Sequence, residues 1–209
     1  IDAGIRLKGS FNDLAKGVSG AIQQYETVKQ TKTNSGFLGI GKSTSTSISE
    51  TYTAADKAIS DSITKIFTNA TDTFVQVGSK LGMSMEDVLS KLGNVNIDQL
   101  ASLRGLSGEA LQKEFESVIG NILDTASNTL FASLSKYQQF GEGMLETVIR
   151  VTDANDKIKL SLTSIGKKYT ELSFDVTEAL AKASGGLDKF MEQVASFKDN
   201  FLTDAEKLK

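Results

Sequence analysis

The chain has 209 residues, of which 39% are hydrophobic, and a formal net charge of −3. This composition is typical of a globular protein with a packed core, and it argues against general nucleic-acid affinity because no basic field is present. Neither cysteine nor histidine occurs, which excludes disulfides, thiolate chemistry, Ser-His-Asp catalysis and the commonest metal ligand. We therefore expect no enzymatic activity, no cofactor and no metal site.

The first quarter of the sequence predicts strands. Apolar residues alternate with polar ones over 5–11, which indicates a strand with one buried face, and 12–21 follow as a loop or short helix. The segments 25–33 and 42–53 are rich in Thr and Ser and flank a glycine-rich stretch at 34–41. This arrangement predicts a long hairpin with a glycine-rich tip.

The predicted tip is apolar where a loop is usually polar. Phe37, Leu38 and Ile40 stand among its glycines. Two interpretations remain open: the tip folds back on its own domain, or it inserts into a neighbouring subunit. On the second interpretation these three residues are candidates for contact with a partner.

The same tip matches the phosphate-binding pattern G-x-x-x-x-G-K-[ST] through Gly36, Gly41, Lys42 and Ser43. In a genuine P-loop a buried strand precedes the motif and the Ser opens a helix that holds phosphate. Here the preceding residues are largely polar, and the run after Ser43 is a poor helix former. We interpret the match as accidental and predict that these residues bind no nucleotide.

Capping signatures predict the next two helices. Thr53 with Asp56 opens a helix that reaches about Gly82, and Ser84 with Asp87 opens a short helix that Gly93 ends. The apolar stripe of the longer helix recurs every three or four residues, at Ile59, Ile63, Ile66, Phe67, Ala70, Phe74, Val77 and Leu81.

A strand over 95–103 and a glycine-bounded corner lead into the longest amphipathic stretch. Ser107 is the predicted N-cap of a helix over 108–131. The order of strands and helices predicts an α+β fold, in which an antiparallel sheet with a long hairpin packs on two long helices. We assign this domain to 1–140.

Residues 141–209 are predicted to form a helical extension. Its first helix carries a heptad-like seam of Val148, Val151, Asn155, Ile158, Leu162 and Ile165. A polar Asn in such a seam can fix the register of a coiled coil, so the six residues are candidates for self-association; ordinary intrachain packing gives the same spacing. Two further helices cover 173–184 and 187–202, and Thr203 with Glu206 predicts the start of another helix on which the sequence stops.

Several motifs, in order along the chain, carry a family resemblance. They are the glycine-rich 36–47, Arg104-Gly105-Leu106-Ser107-Gly108-Glu109 with Gln112, Phe140-Gly141-Glu142-Gly143, Glu146-Thr147-Val148-Ile149-Arg150-Val151, and Ser184-Gly185-Gly186-Leu187-Asp188 with Asn200-Phe201 and Ala205-Glu206. Together they resemble the C-terminal half of tail tape measure proteins of long-tailed bacteriophages and prophages. No single motif is specific, but the ordered set is.

The resemblance implies a structural protein of the virion, made in the bacterial cytoplasm. Such a protein is a largely helical rod that fills the tail tube, sets tail length and is released during genome ejection. Its C-terminal region would contact tail-tip, distal-tail or tail-tube proteins. A homo-oligomer, trimeric or hexameric, would suit the rotational symmetry of a tail.

Two other classes of function remain as alternatives. A membrane-active or pore-contributing module would use the apolar tip and the amphipathic helices to aid DNA entry after release. An enzyme, either a cell-wall hydrolase or a nucleotide hydrolase, would need paired acids or a phosphate loop. The acids of this sequence fall at helix caps or on polar helix faces, at Asp56, Asp87, Glu109, Glu114, Glu116, Glu178 and Glu192, which favours capping and solubility instead.

Overall fold

The computed structural model describes residues 2–34, 43–166, 172–203 and 206. The chain divides into two compact units, Ile1–Leu130 and Phe131–Lys209. The first contains a four-stranded antiparallel sheet with helices, and the second is helical. The predicted α+β class is therefore confirmed.

Four strands form the sheet of the first unit: β1 (Asp2–Ser10), β2 (Ile22–Asn34), β3 (Ser43–Ala54) and β4 (Asn96–Ser102). Their order is β3-β2-β1-β4, and each neighbouring pair is antiparallel. β1 lies at the centre, where Leu7 pairs with Ile22 on one side and with Gln99 on the other. The predicted hairpin is β2–β3, and β3 is one edge of the sheet.

The helices of the first unit are α1 (Phe11–Ala15), α2 (Lys57–Lys80), α3 (Met85–Gly93) and α4 (Glu109–Phe131). Phe11 belongs to α1 rather than to the first strand, because the hydroxyl of Ser10 caps a helix at that point and accepts from the Asp13 N–H. Ser84 and Asp87 form the predicted capping box of α3. At α2 the N-cap is Asp56, which accepts from the Ala58 N–H at 2.8 Å.

The core of the first unit is centred on Phe11, which is fully buried. Its ring meets the rings of Phe67 and Phe74 edge-on, with centroids 4.9 and 5.6 Å apart. Such aromatic pairs stabilise a core beyond the area they bury. The sheet contributes Ile5, Leu7, Ile22, Ile97 and Ala101 to the buried set, and α3 and α4 contribute Val88, Leu92, Val118, Ile119, Ile122, Ala126 and Leu130.

The second unit contains a 3-10 helix (Ala132–Tyr137) and helices α5 (Met144–Thr163), α6 (Phe174–Ala183) and α7 (Leu187–Phe201). The 3-10 helix and both later helices pack on α5. The second unit begins at Phe131, ten residues before the domain boundary that we predict from the sequence. The reason is local: Leu134 is buried, and the Tyr137 carbonyl accepts a hydrogen bond from Arg150 of α5.

Candidate interaction surfaces

The outer half of the hairpin forms a two-stranded ribbon. Pairing between β2 and β3 runs without interruption from Gln23↔Ala54 to Asn34↔Ser43, whereas the described pairing of β1 with β2 ends at Asp2↔Thr27. We call the part beyond that point, 28–34 with 43–49, the outer ribbon. At about 3.4 Å per residue it extends roughly 20 Å past the three-stranded part of the sheet.

Both faces of the outer ribbon are mostly polar, and its two aliphatic side chains, Val28 and Ile48, lie on opposite faces. Thr31 lies opposite Thr46 on one face, and Gln30 lies opposite Ser47 on the other. These four side chains are exposed. A two-stranded ribbon without a continuous apolar face is only marginally stable in water, because it has little apolar surface to bury. The outer ribbon is therefore a surface that gains stability from being covered.

A polar and aromatic cluster lies on the sheet face at the inner end of the hairpin. Arg6 donates through Nε and Nη2 to the two carboxylate oxygens of Asp98, both at 2.7 Å, and its guanidinium lies 4.9 Å from the ring centre of Tyr52. The Tyr52 hydroxyl donates to Glu50 at 2.8 Å. The hydrogen bonds from Arg6 hold the pKa of Asp98 below its usual range. Every charged group named here is engaged within the chain, so the cluster stiffens the sheet.

An apolar cleft of about 320 Å³ lies beside the start of α4. Ile5, Ile59, Leu103, Leu111 and Phe115 line it, together with Gly108 and Gln112. Nε2 of Gln112 donates to Glu116 Oε1 at 2.6 Å. The lining of the cleft is predominantly apolar, so it offers contact area to an apolar group.

A network of charged side chains in the second unit surrounds Arg150 of α5. Its Nε donates to Glu142 Oε1 at 2.7 Å, and its Nη2 donates to Glu142 Oε2 at 3.1 Å and to the Tyr137 carbonyl at 2.7 Å. Its Nη1 donates to the two carboxylate oxygens of Glu178, at 3.2 and 3.3 Å. One guanidinium thereby ties α6 and the 138–143 segment to α5.

Glu142 is held in its charged form by this arrangement. It also accepts from the Gln139 N–H at 3.1 Å and the Thr147 hydroxyl at 2.8 Å, and 13% of its side chain is exposed. The hydrogen bonds from Arg150 are the main cause that lowers the pKa of Glu142 to about 2, with the bonds from Gln139 and Thr147 adding to the effect.

A cavity of about 660 Å³ lies next to these residues, with Tyr137, Asp175 and Lys182 on its wall. Asp175 accepts from Lys136 Nζ at 2.8 Å and from the Tyr137 hydroxyl at 2.8 Å, and these bonds lower its pKa. A general acid needs a carboxyl whose pKa is raised instead. The cavity walls thus have the character of a structural ion-pair network.

The seam predicted on α5 falls largely inside the second unit. Val148, Val151 and Ile158 are fully buried, and Asn155 is 3% exposed. Asn155 Nδ2 donates to the Leu172 carbonyl and to the Thr177 hydroxyl, each at 3.3 Å. Intrachain packing, the second of our two interpretations, accounts for these four residues.

The other predicted contact residues have different positions. Leu162 and Ile165 are half-buried. Phe37, Leu38 and Ile40 lie outside the described residues, as do Gly36, Gly41 and Lys42. Ser43 is the first residue of β3, whereas the equivalent residue of a P-loop opens a helix. The helix that a P-loop needs after its Ser is therefore replaced by a strand.

An apolar surface remains open on α7. Phe197 and Phe201 stack with centroids 5.4 Å apart and are 43% and 74% exposed, whereas Phe190 on the preceding turns is buried. The sequence places all three on one helical face, so the face is covered at its beginning and bare at its end. Exposed stacked aromatics of this kind are typical of contact surfaces.

Within the described ranges, no cluster of acidic side chains could hold a metal ion, and no helix is long and apolar enough to cross a bilayer. Comparison with known proteins adds no relative: no family model, no curated protein sequence and no solved structure matches the chain.

Proposed function

We propose that this chain is a structural and assembly module of a phage or prophage tail. It would form part of a tape measure protein, which sets tail length and is released during genome ejection. The ordered motifs between 36 and 206 support this identification, and the surfaces of the described residues support an assembly role. Its partners would be tail-tip, distal-tail or tail-tube proteins.

The observation that carries the assembly role is the outer ribbon. Two strands without a continuous apolar face project past the rest of the sheet, and the edge of β3 has no neighbour among the described strands. Strand edges bind other chains through backbone hydrogen bonds, which gives affinity without requiring an apolar surface. A ribbon of this kind is best explained by a partner that covers it in the assembled state.

The electrostatics of the second unit also support a structural role. Arg150 contacts two carboxylates, and Lys136 contacts a third, Asp175. Such networks hold helices in register, whereas hydrolytic sites keep one acid free to accept or donate a proton. The exposed Phe197 and Phe201 provide a second surface for contact in the same assembly.

Purified tails test the proposal directly. The full-length gene product would carry an epitope tag after Leu202, and tails would be isolated from the bacterium that encodes the chain. We expect mass spectrometry to detect the chain in intact tails, with gold-labelled antibody at one end. Tails that form normally without the chain would contradict the proposal.

Vesicle leakage separates the assembly role from the membrane-active alternative. The purified chain would be added to dye-loaded vesicles of bacterial phospholipid composition over a series of protein concentrations. An assembly module leaves the vesicles intact at every concentration. Release of dye at low protein concentration would favour the alternative, and turnover of ATP or peptidoglycan would favour an enzyme.

A further inference from the structure

β3 lacks the features by which proteins usually protect a sheet edge. Natural edges carry a proline, a bulge, charged side chains or a covering element. The sequence has no proline, and the one-to-one register from Gln23↔Ala54 to Asn34↔Ser43 leaves no room for a bulge. Only Glu50 is charged within β3, and the described side chains from Thr44 to Thr51 are all exposed. No described strand pairs with this edge, so its outward-facing backbone groups can pair with another strand.

The only large aliphatic side chain of β3 lies at the middle of the strand. Ile48 is 65% exposed and lies opposite Lys29 of β2, whose neighbours on that face are threonines. Ile48 thus has Lys29 of β2 beside it on one side, and the open edge of the sheet on the other. An apolar residue at that position gains from a second apolar residue placed directly across the edge.

We propose that two copies of this chain pair antiparallel through β3, about a twofold axis that passes Ile48. In this register Ile48 faces Ile48 of the second copy, and the paired segment spans 43–53 in both copies. Only an axis at Ile48 pairs this side chain with itself. That axis also pairs nearly the whole of β3, which spans Ser43–Ala54. The inference rests on the proposed assembly role but not on its assignment to a phage tail.

The charges of β3 are compatible with a second copy as the occupant. The axis at Ile48 places Glu50 opposite Thr46 of the second copy, so no like charges face each other. The net charge of −3 per chain also gives only weak repulsion between two copies. A twofold pair of identical strands is isologous and closes on itself, which prevents open-ended addition along the edge.

Cysteine cross-linking tests the register, because the natural chain has no cysteine. We expect Ile48→Cys in the full chain to cross-link to itself rapidly with a short thiol-to-thiol reagent, giving a covalent dimer. Thr44→Cys is the matched control on the same exposed strand, because residue 44 of the two copies would be about 27 Å apart. A mixture of Thr46→Cys and Glu50→Cys chains should cross-link to each other faster than either does to itself.

Light scattering over a concentration series tests the interface itself. We expect a dimer, and Ile48→Lys should raise its dissociation constant by at least about tenfold, because two like charges then face each other. Ile48→Val should leave the dimer intact, and circular dichroism should show that both variants remain folded. A chain that stays monomeric, a cyclic trimer, or Thr44→Cys cross-linking as fast as Ile48→Cys would overturn the proposal. If the chain were absent from purified tails but still dimerised in this register, the proposed phage-tail function would fail and the β3 dimer would not.

Discussion

The ion pair between Glu142 and Arg150 allows a quantitative test of what holds the second unit together. Glu142→Gln keeps the size of the side chain, but it removes the charge and replaces one of the two accepting oxygens with a donating NH2 group. Of the two carboxylates that Arg150 contacts among the described residues, Glu178 then remains. We expect the variant to fold and to be less stable at neutral pH.

The size of the effect follows from the pKa of Glu142. A fall from 4.5 to about 2 corresponds to roughly 3 kcal/mol, at about 1.4 kcal/mol for each tenfold change in proton affinity. Because 13% of the side chain remains exposed, screening by solvent reduces this to about 2 kcal/mol. The free energy of unfolding of the second unit should fall by that amount at pH 7.

The same pKa determines how the effect depends on pH. Folding lowers the pKa of Glu142, so its stabilisation is complete above the unfolded value near 4.5 and is lost as pH falls towards 2. The difference between the natural chain and the variant should therefore be constant from pH 7 to pH 5. More than half of it should disappear by about pH 3.

Urea denaturation followed by circular dichroism measures the difference, and hydrogen exchange of peptides from α5 assigns the transition to the second unit. Glu192→Gln, on the exposed surface of α7, is the control and should change the free energy by less than about 0.5 kcal/mol. A Glu142→Gln effect below that limit at pH 7 would refute the reasoning. So would an effect that is as large at pH 3 as at pH 7.

Three further substitutions test individual parts of the fold. Gly4→Ala should destabilise the first unit strongly in thermal melts, because the added methyl group would collide with a strand carbonyl and a tyrosine ring. Gly120→Ala is the control: the space around it is open, so the substitution should be neutral or stabilising by up to about 1 kcal/mol. Ser84→Ala should cost about 1 kcal/mol in urea denaturation because it removes a helix cap, and Ser90→Ala on the exposed face of the same helix should not. Asn155→Ala should lower the free energy of unfolding by about 1 to 3 kcal/mol, because it leaves buried hydrogen-bond partners unsatisfied. The mass measured by light scattering should not change. A change of mass would instead support self-association through the α5 seam.

Helix boundaries in this chain could be predicted because their signals are local. Ser84 and Asp87 lie within one helical turn of each other, and their capping box is present in the structure. Ser173 likewise caps the start of α6. Such signals need no knowledge of tertiary structure, since each depends on the backbone within a few residues.

The charged clusters could not be predicted in the same way. Arg6 and Asp98 are 92 positions apart and meet only because β1 and β4 are neighbours in a particular register. Arg150 and Glu178 meet only because α6 packs on α5. The sequence contains the charges, but their pairing depends on topology.

The heptad-like seam illustrates how a correct pattern can leave its partner undetermined. The spacing of Val148, Val151 and Ile158 correctly indicates a buried helical face. Spacing alone does not say whether that face meets another chain or another helix of the same chain. In the structure Asn155 contacts Leu172 and Thr177 of the same unit, so the polar residue in the seam is satisfied within the chain.

Hydrogen exchange of β3 provides the most direct test of the claim that this chain works through a covered strand edge. Exchange of the amides in Ser43–Ala54 would be compared between dilute, dissociated chain and tails that contain it. The outward-facing amides of the strand should exchange at least about tenfold more slowly in tails, because they gain hydrogen-bond partners there. Equal exchange in the two states would mean that the edge stays bare, and would contradict the account.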